Sequence, residues 1–162
     1  GEDTLSLHDA LPIWSKILIL GSFPSVKSRE GQFFYHHKQN RFWKVLAAVF
    51  EDTLPETIEE KKEFLLRHNI AIWDVIASCD IEGSSDSSIK NVQPTDIGMI
   101  LEKTNITRIY ANGNKAGQLY KRYQFPVTGI EAMVLPSTSP ANAAWSKKRL
   151  LTKWNQICPY LE

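Results

Sequence analysis

At 162 residues, 43% hydrophobic and 23% charged, the chain has the length and make-up of one ordinary domain with a full core and no need of disulfide staples. Its two cysteines, Cys79 and Cys158, stand in no metal-ligand or redox spacing, which points to reduced thiols in a cytoplasmic protein. No stretch approaches the roughly 20 apolar residues that cross a bilayer, and the N-terminus lacks a secretory signal's basic start and apolar run, so membrane and secreted classes are not expected.

Residues Gly1 to Pro12 show no usable periodicity. The expected organisation is a loose or non-native tail over residues 1–14 and a single domain over 15–162. The first element is the apolar run ending in Gly21, within Ile17 to Ser28, which reads as a buried strand opening into a loop of small polar residues. Such strand ends are where open α/β sheets place their ligands. The loop nearly spells a phosphate-binding P-loop, with Val26, Lys27 and Ser28 standing where that motif has Gly-Lys-Ser. Val26 breaks it, because a β-branched residue disfavours the backbone angles that wrap a phosphate.

In Gly31 to Lys44, aromatic, amide, histidine and basic residues interleave just before a helical pattern of Phe42, Leu46, Val49 and Phe50. That mixture suits a surface that stacks on bases while gripping phosphates, whereas Phe42 and Trp43 begin an apolar stripe and belong to the core. Asn40 is placed to cap the helix. His36 and His37, adjacent in sequence, point apart and make no metal pair.

Helical spacing continues at Ile58 to Arg67, Thr95 to Lys103, Lys115 to Tyr123 and Ser146 to Ile157, the last with Ser146 as N-cap. Apolar runs at Ile70 to Ile76, Ile106 to Ala111 and Ala132 to Pro136 read as strands. Cys79 to Pro94, polar and rich in Ser, reads as a long loop. Alternating elements predict an α/β fold, a mainly parallel sheet with helices on both faces. Leu135 to Trp145 passes from a strand end into a stiff loop of small hydroxyl residues and prolines, suited to close approach to a nucleic-acid backbone. Ser137 and Ser139 lack the flanking glycines of a nucleophile elbow.

The net charge is +1, but residues 16–50 carry six Lys or Arg against Glu30 alone, and no acid falls between Ser137 and Tyr160. If these segments share a face, the molecule offers a polyanion a docking side; ordinary solvated helices explain the same charges.

Together, LGSFPS at Leu20 to Ser25, HHKQNRFWK at His36 to Lys44, ANGNKA at Ala111 to Ala116 and PSTSPANA at Pro136 to Ala143 resemble the uracil-DNA glycosylase superfamily. The branch is that of the hypoxanthine-DNA (DNA-deoxyinosine) glycosylases. The similarity runs from about Ser15 to Cys158, with the four segments in the family's order. It implies a three-layer α/β/α sandwich around a central four-stranded, mainly parallel sheet. It also implies a monofunctional hydrolase that flips a deaminated base out of DNA and cleaves its N-glycosidic bond, starting base excision repair, with hypoxanthine first and uracil or xanthine second.

By the same resemblance no metal or cofactor takes part, the partner is double- or single-stranded DNA, and the protein is a cytoplasmic monomer. Asn40 is the catalytic residue that positions water. Gly21, Ser22, Phe23, Tyr35, His37 and Asn112 form the base pocket, with Phe23 stacking on the base. Ser25, Lys27, Ser137, Thr138, Ser139, Pro140, Asn142 and Lys147 contact the DNA backbone or minor groove. The sequence departs from better-known relatives at Phe23, where they carry an acid or amide, at Ser137, where they carry histidine, and at Lys38, where many carry proline. Two other readings stay open: a catalytically inactive DNA-binding module of this fold, and a flavodoxin-like nucleotide-binding domain.

Overall fold

A computed structural model describes residues 10–23, 33–81 and 89–160. Ser25 and Lys27 lie outside the described residues. Strand β1 (Ile17–Gly21) is followed by helices α1 (Phe42–Val49) and α2 (Ile58–His68), then β2 (Ile70–Asp74), β3 (Ile76–Ile81) and β4 (Ile89–Pro94). Helix α3 (Ile97–Lys103), β5 (Arg108–Asn112), α4 (Asn114–Tyr123), the short α5 (Phe125–Thr128), β6 (Ala132–Leu135) and α6 (Lys147–Trp154) complete the order. A 3-10 turn, Asn155–Tyr160, follows α6.

The main sheet runs β2-β1-β5-β6 and is parallel throughout. All five residues of β1 are buried, and the period-two alternation of a strand sorts its side chains between two cores. Ile17 and Ile19 pack with Phe42, Phe64, Leu150 and Trp154, from α1, α2 and α6. Leu18 and Leu20 pack with Ile97, Ile100 and Tyr120, from α3 and α4. Each such side chain contributes about 1.5–3 kcal/mol, so β1 is fixed from both faces and its carboxyl end is a rigid platform. This is the expected three-layer α/β/α sandwich.

Helix ends follow the sequence chemistry. Thr57 and Glu60 form a reciprocal capping box on α2, and the Ser146 hydroxyl accepts from the Arg149 N–H at 3.2 Å. Phe42 and Trp43 are buried, as their stripe requires.

Two expectations need correction. Part of Cys79 to Pro94, read as a loop, belongs to an antiparallel hairpin of β3 and β4. Ser78, Lys90 and Gln93 are exposed and only Ile76 is buried outright, so no clear apolar alternation marked it; register shifts between Ile76 and Asp80 blur the pattern further. The apolar run Ile70 to Ile76 is accordingly two strands, broken at Val75. In the expected tail, Ala10 and Leu11 are buried, one in each core, so packed chain extends ahead of residue 15.

Candidate active site

The carboxyl ends of the four parallel strands open on a cleft of about 440 Å³, lined by Gly21, Ser22, Phe23, Phe34, Tyr35, His36, His37, Asn40, Asp74, Asn112, Ser137, Thr138, Ser139 and Pro140. Eleven of the residues expected from sequence meet there: Gly21, Ser22, Phe23, Tyr35, His37, Asn40, Asn112, Ser137, Thr138, Ser139 and Pro140. Asn142 instead lines a neighbouring groove of about 670 Å³ that shares Ser137 and Ser139 with the cleft and also holds Lys115 and Lys153. Lys147 lines neither.

At the β5–β6 end the polar groups satisfy one another. The Asn40 carboxamide oxygen accepts from the Phe42 N–H at 2.9 Å and from the Thr138 hydroxyl at 2.8 Å. Thr138 Oγ1 in turn accepts from Asn112 Nδ2 at 3.0 Å, and the Thr138 N–H donates to Asn112 Oδ1 at 3.0 Å. Of a carboxamide's two polar atoms only the oxygen can accept from a backbone N–H, so the two N–H groups fix both amides and the direction of every proton between them. The N-cap position of α1 is Arg41 rather than the expected Asn40, which stands one residue earlier, accepts from the first helical N–H and lines the cleft at once. The Asn40 oxygen holds two donors, and its amino group, without a partner among the described residues, is the part left for a ligand.

This network explains the fully buried Thr138 hydroxyl. It also constrains Asn112, expected to read the base, because both of its polar atoms already serve Thr138. The tight join after β5 needs glycine: Gly113 has φ +99°, and a Cβ there would meet Ser137 Cβ at 3.0 Å.

The loop from Pro136 to Trp145 is laced from beneath by Arg41, a residue the sequence reading counted only among basic charges. Its guanidinium donates to the carbonyls of Ser139 at 3.2 Å, Asn142 at 3.1 Å and Trp145, while its N–H donates to Thr138 O at 3.0 Å. Within the loop, Ser137 Oγ accepts from Ser139 N–H and Ser139 Oγ from Ala141 N–H. The N–H groups of Thr138, Ser139, Ala141, Asn142 and Trp145 are therefore spent within the protein. Each serine still has its own O–H to donate.

At the β1–β2 end lies Asp74, which the sequence reading missed. It sits opposite Gly21 in the register, and a Cβ on Gly21 would come within 2.7 Å of Asp74 Oδ1 and 3.1 Å of Tyr35 Oη. Gly21 is the only residue type that leaves room for both groups. Tyr35 holds φ +55°, a backbone conformation that bulky residues seldom adopt, and its ring stacks on Phe42 with centroids 4.0 Å apart.

Although the Tyr35 side chain is partly exposed, its hydroxyl oxygen is buried and makes no hydrogen bond among the described residues. Burial pushes this phenol well above the ordinary tyrosine range, and the Asp74 charge pushes it further. The Asn112 amide lies near enough to temper the shift without forming a bond of good geometry.

His37 is exposed, its Nδ1 accepting from Gln39 N–H at 3.2 Å. Phe23 lies 6.0 Å below the Lys115 ammonium, a cation–π distance. Among the described residues no group of three or more His, Cys, Asp or Glu is placed to hold a metal ion, and no helix is long and apolar enough to cross a membrane.

A sequence model of the Uracil DNA glycosylase superfamily matches residues 8–158. A hypoxanthine DNA glycosylase of Methanosarcina acetivorans is 37% identical over 145 residues, covering 88% of this chain and 90% of that protein. One from Methanosarcina barkeri is 31% identical over 137 residues, covering 83% and 85%. The solution NMR structure of a candidate uracil DNA glycosylase from Methanosarcina acetivorans superposes with a TM-score of 0.78 at 33% identity, covering 94% of each chain.

Proposed function

The chain belongs to the Uracil DNA glycosylase superfamily, and from that premise we propose that it hydrolyses the N-glycosidic bond of deaminated bases in DNA, hypoxanthine first. Uracil and xanthine are secondary substrates. The observation that carries this reading is the locked Asn40 carboxamide on the wall of a strand-end cleft of about 440 Å³, a volume suited to a small ligand such as an extruded nucleoside.

In this reaction the C1′–N9 bond breaks, leaving a cation-like sugar and a purine that departs with the bonding electrons. Water adds to C1′, and its proton ends on the departing base. So electrophilic a sugar needs its water placed more than deprotonated. Asn40 Nδ2 donates to the water oxygen and holds it, with the Asn40 oxygen engaged elsewhere so that the amide cannot turn. Preorganisation of this kind, complete before substrate arrives, is what makes a single donor worth about a hundred- to a thousand-fold in rate.

Phe23 stacks on the extruded base, backed by Lys115. The Ser137 and Ser139 hydroxyls donate to phosphate, with Asn142, Lys115 and Lys153 along the adjoining groove and Lys147 further out. The partner is DNA; whether a duplex or a single strand is preferred follows from the cost of extrusion, which is least for a mismatched or unpaired base. The protein acts as a monomer in the cytoplasm and needs no cofactor.

The test is a duplex carrying one end-labelled deoxyinosine, incubated with protein and then treated with hot alkali. Strand breaks at the inosine are expected, reduced about a hundred- to a thousand-fold in Asn40→Ala. Tight binding with no break from the unaltered protein would instead identify a DNA-binding module without catalysis.

A further inference from the structure

The two ends of the cleft differ in one respect that the hydrolytic chemistry does not use. Tyr35 carries a buried hydroxyl with no hydrogen bond among the described residues, and it shares the space over Gly21 with the Asp74 carboxylate. A buried donor left unmet is costly, and native proteins keep few of them. One that faces a ligand cleft is met when the ligand comes.

We propose that Asp74 and Tyr35 form a lactam reader, in which the Asp74 carboxylate accepts the ring N–H of a deaminated base and the Tyr35 phenol donates to the adjacent carbonyl. This deepens the glycosylase reading and rests on it. Deamination makes one change common to adenine and cytosine. An exocyclic amino donor becomes a carbonyl acceptor, and the neighbouring ring nitrogen changes from acceptor to N–H donor. Hypoxanthine and uracil therefore present an acceptor beside a donor, where adenine and cytosine present the reverse. A site with a donor beside an acceptor accepts the first pair and repels the second. Guanine and thymine carry the same ring N–H, and their exclusion falls to the stability of their intact pairs.

The geometry supports the assignment. Asp74 ends a buried strand, and its backbone is clamped: its carbonyl accepts from Thr95 Oγ1 at 2.7 Å, and the next residue's N–H donates to Gly21 O at 2.8 Å. Buried Gln124 ties Val75 O and Thr95 O together at 2.9 and 2.8 Å. Tyr35 is fixed by its ring stack and its unusual backbone. Both groups thus stand on rigid supports, as a specificity site requires. A carboxylate has about four acceptor positions, so bonds within the protein leave room for a base N–H.

Strand order separates the reader from the hydrolytic end. Asp74 closes β2, whereas Asn112 closes β5 and the Thr138 loop follows β6. A nucleoside lying across the strand ends puts its base edge at the first and its sugar at the second.

The test compares deoxyinosine with 1-methyldeoxyinosine in the same duplex, which replaces the ring N–H by N–CH₃ and leaves the carbonyl and glycosidic bond intact. Single-turnover release by the unaltered protein should be slower for the methylated base by about a thousand-fold or more. In Asp74→Ala, with charge and bulk removed, the two rates should converge to within about tenfold through loss on inosine. Asp74→Asn keeps an acceptor oxygen in the same shape and should keep part of the preference. Tyr35→Phe should slow inosine while leaving the fold intact.

Equal release of both bases by the unaltered protein overturns the reader and leaves the glycosylase standing. So does Asp74→Ala slowing both in the same ratio, the signature of a group that serves water instead. Failure of hydrolysis itself is a separate outcome, covered by binding of duplexes bearing 2′-fluoro-inosine, whose sugar resists cleavage. With no release from any duplex the glycosylase reading falls, and a preference for 2′-fluoro-inosine over its N1-methyl form, lost in Asp74→Ala, still upholds the reader; no such preference sinks it.

Discussion

The two ends of the cleft are built on opposite plans. Around Thr138, one hydroxyl, two amide oxygens, the Asn112 amino group and two backbone N–H groups are tied to one another with no ligand present, and the Asn40 amino group is held in place by that network. Around Gly21, a phenol and a carboxylate share one small space, and the phenol is left unmet among the described residues. A closed network has little to gain from substrate and much to lose from disturbance, so it serves as a jig. An open one is finished by the substrate and can therefore choose it. The difference teaches where a mutation should cost stability and where it should cost selectivity.

The largest effect is expected from Thr138→Val, which keeps the shape and removes the shared hydroxyl. Asn112 Nδ2 then lacks its acceptor and Asn40 loses one of two restraints, so stability should fall by about 1–3 kcal/mol. With Asn40 free to shift, release of every base should slow by about a hundred-fold. Chemical denaturation and single-turnover rates measure both. Tyr35→Phe is the contrasting arm: no hydrogen bond to a described residue is lost, so its stability should match the parent within about 0.5 kcal/mol. If the two variants lose stability equally, the two ends are not built differently.

Next comes Gly21→Ala. Its methyl would lie 2.7 Å from Asp74 Oδ1 and 3.1 Å from Tyr35 Oη, so the carboxylate must turn aside. Because the clash is with a side-chain tip rather than backbone, the fold should absorb it. Hypoxanthine release should still fall by about ten- to a hundred-fold, since a displacement near 1 Å is enough. Release of 1-methylhypoxanthine, poor already, should change less. A Gly21→Ala protein of full activity and unaltered preference would mean that the Asp74 position is immaterial.

Much of this was legible in the chain. Four apolar runs gave the four strands of the parallel sheet: β1 is buried on both faces and must be apolar throughout, while the edge strand β6 is apolar although Met133 and Val134 are exposed. The start of α6 was marked by its Ser146 cap, whereas α1 and α4 have Arg41 and Gly113 at the N-cap position, with no side-chain cap to mark them. The β3–β4 hairpin escaped because its solvent-facing side chains carry no periodic signal. Of the residues that line the cleft, eleven were expected, whereas Phe34, His36 and Asp74 were not. An aspartate closing an apolar run looks like a strand terminator, and nothing in sequence says that it leans over Gly21, some 50 residues earlier in the chain. Arg41 was hidden for the opposite reason: in a basic segment it looked like one more cation for DNA, while its guanidinium is turned to the carbonyls of its own protein. Asn40 had two candidate roles, cap and catalyst, and the geometry lets it hold a helix N–H while lining the cleft.

The smallest effect, and the most direct reading of the open end, is the titration of Tyr35. Burial first, and the Asp74 charge second, hold its proton more firmly than in a solvated tyrosine. The phenol should therefore remain a donor through the pH range near 10 where free tyrosines ionise. Subtracting the ultraviolet titration of Tyr35→Phe from that of the parent isolates this one group. Asp74→Asn removes the second cause but not the first, so the Tyr35 transition should move down partway and stay above the ordinary range. The sign for stability follows. Above about pH 10 the unfolded chain loses this proton while the folded protein keeps it, so Tyr35 lowers stability as pH rises through that range and has no effect below it. The parent should thus lose more stability than Tyr35→Phe between neutral and alkaline pH. A Tyr35 that ionises with the exposed tyrosines would mean that water already reaches its hydroxyl, and a group so hydrated has no unmet bond to offer a base.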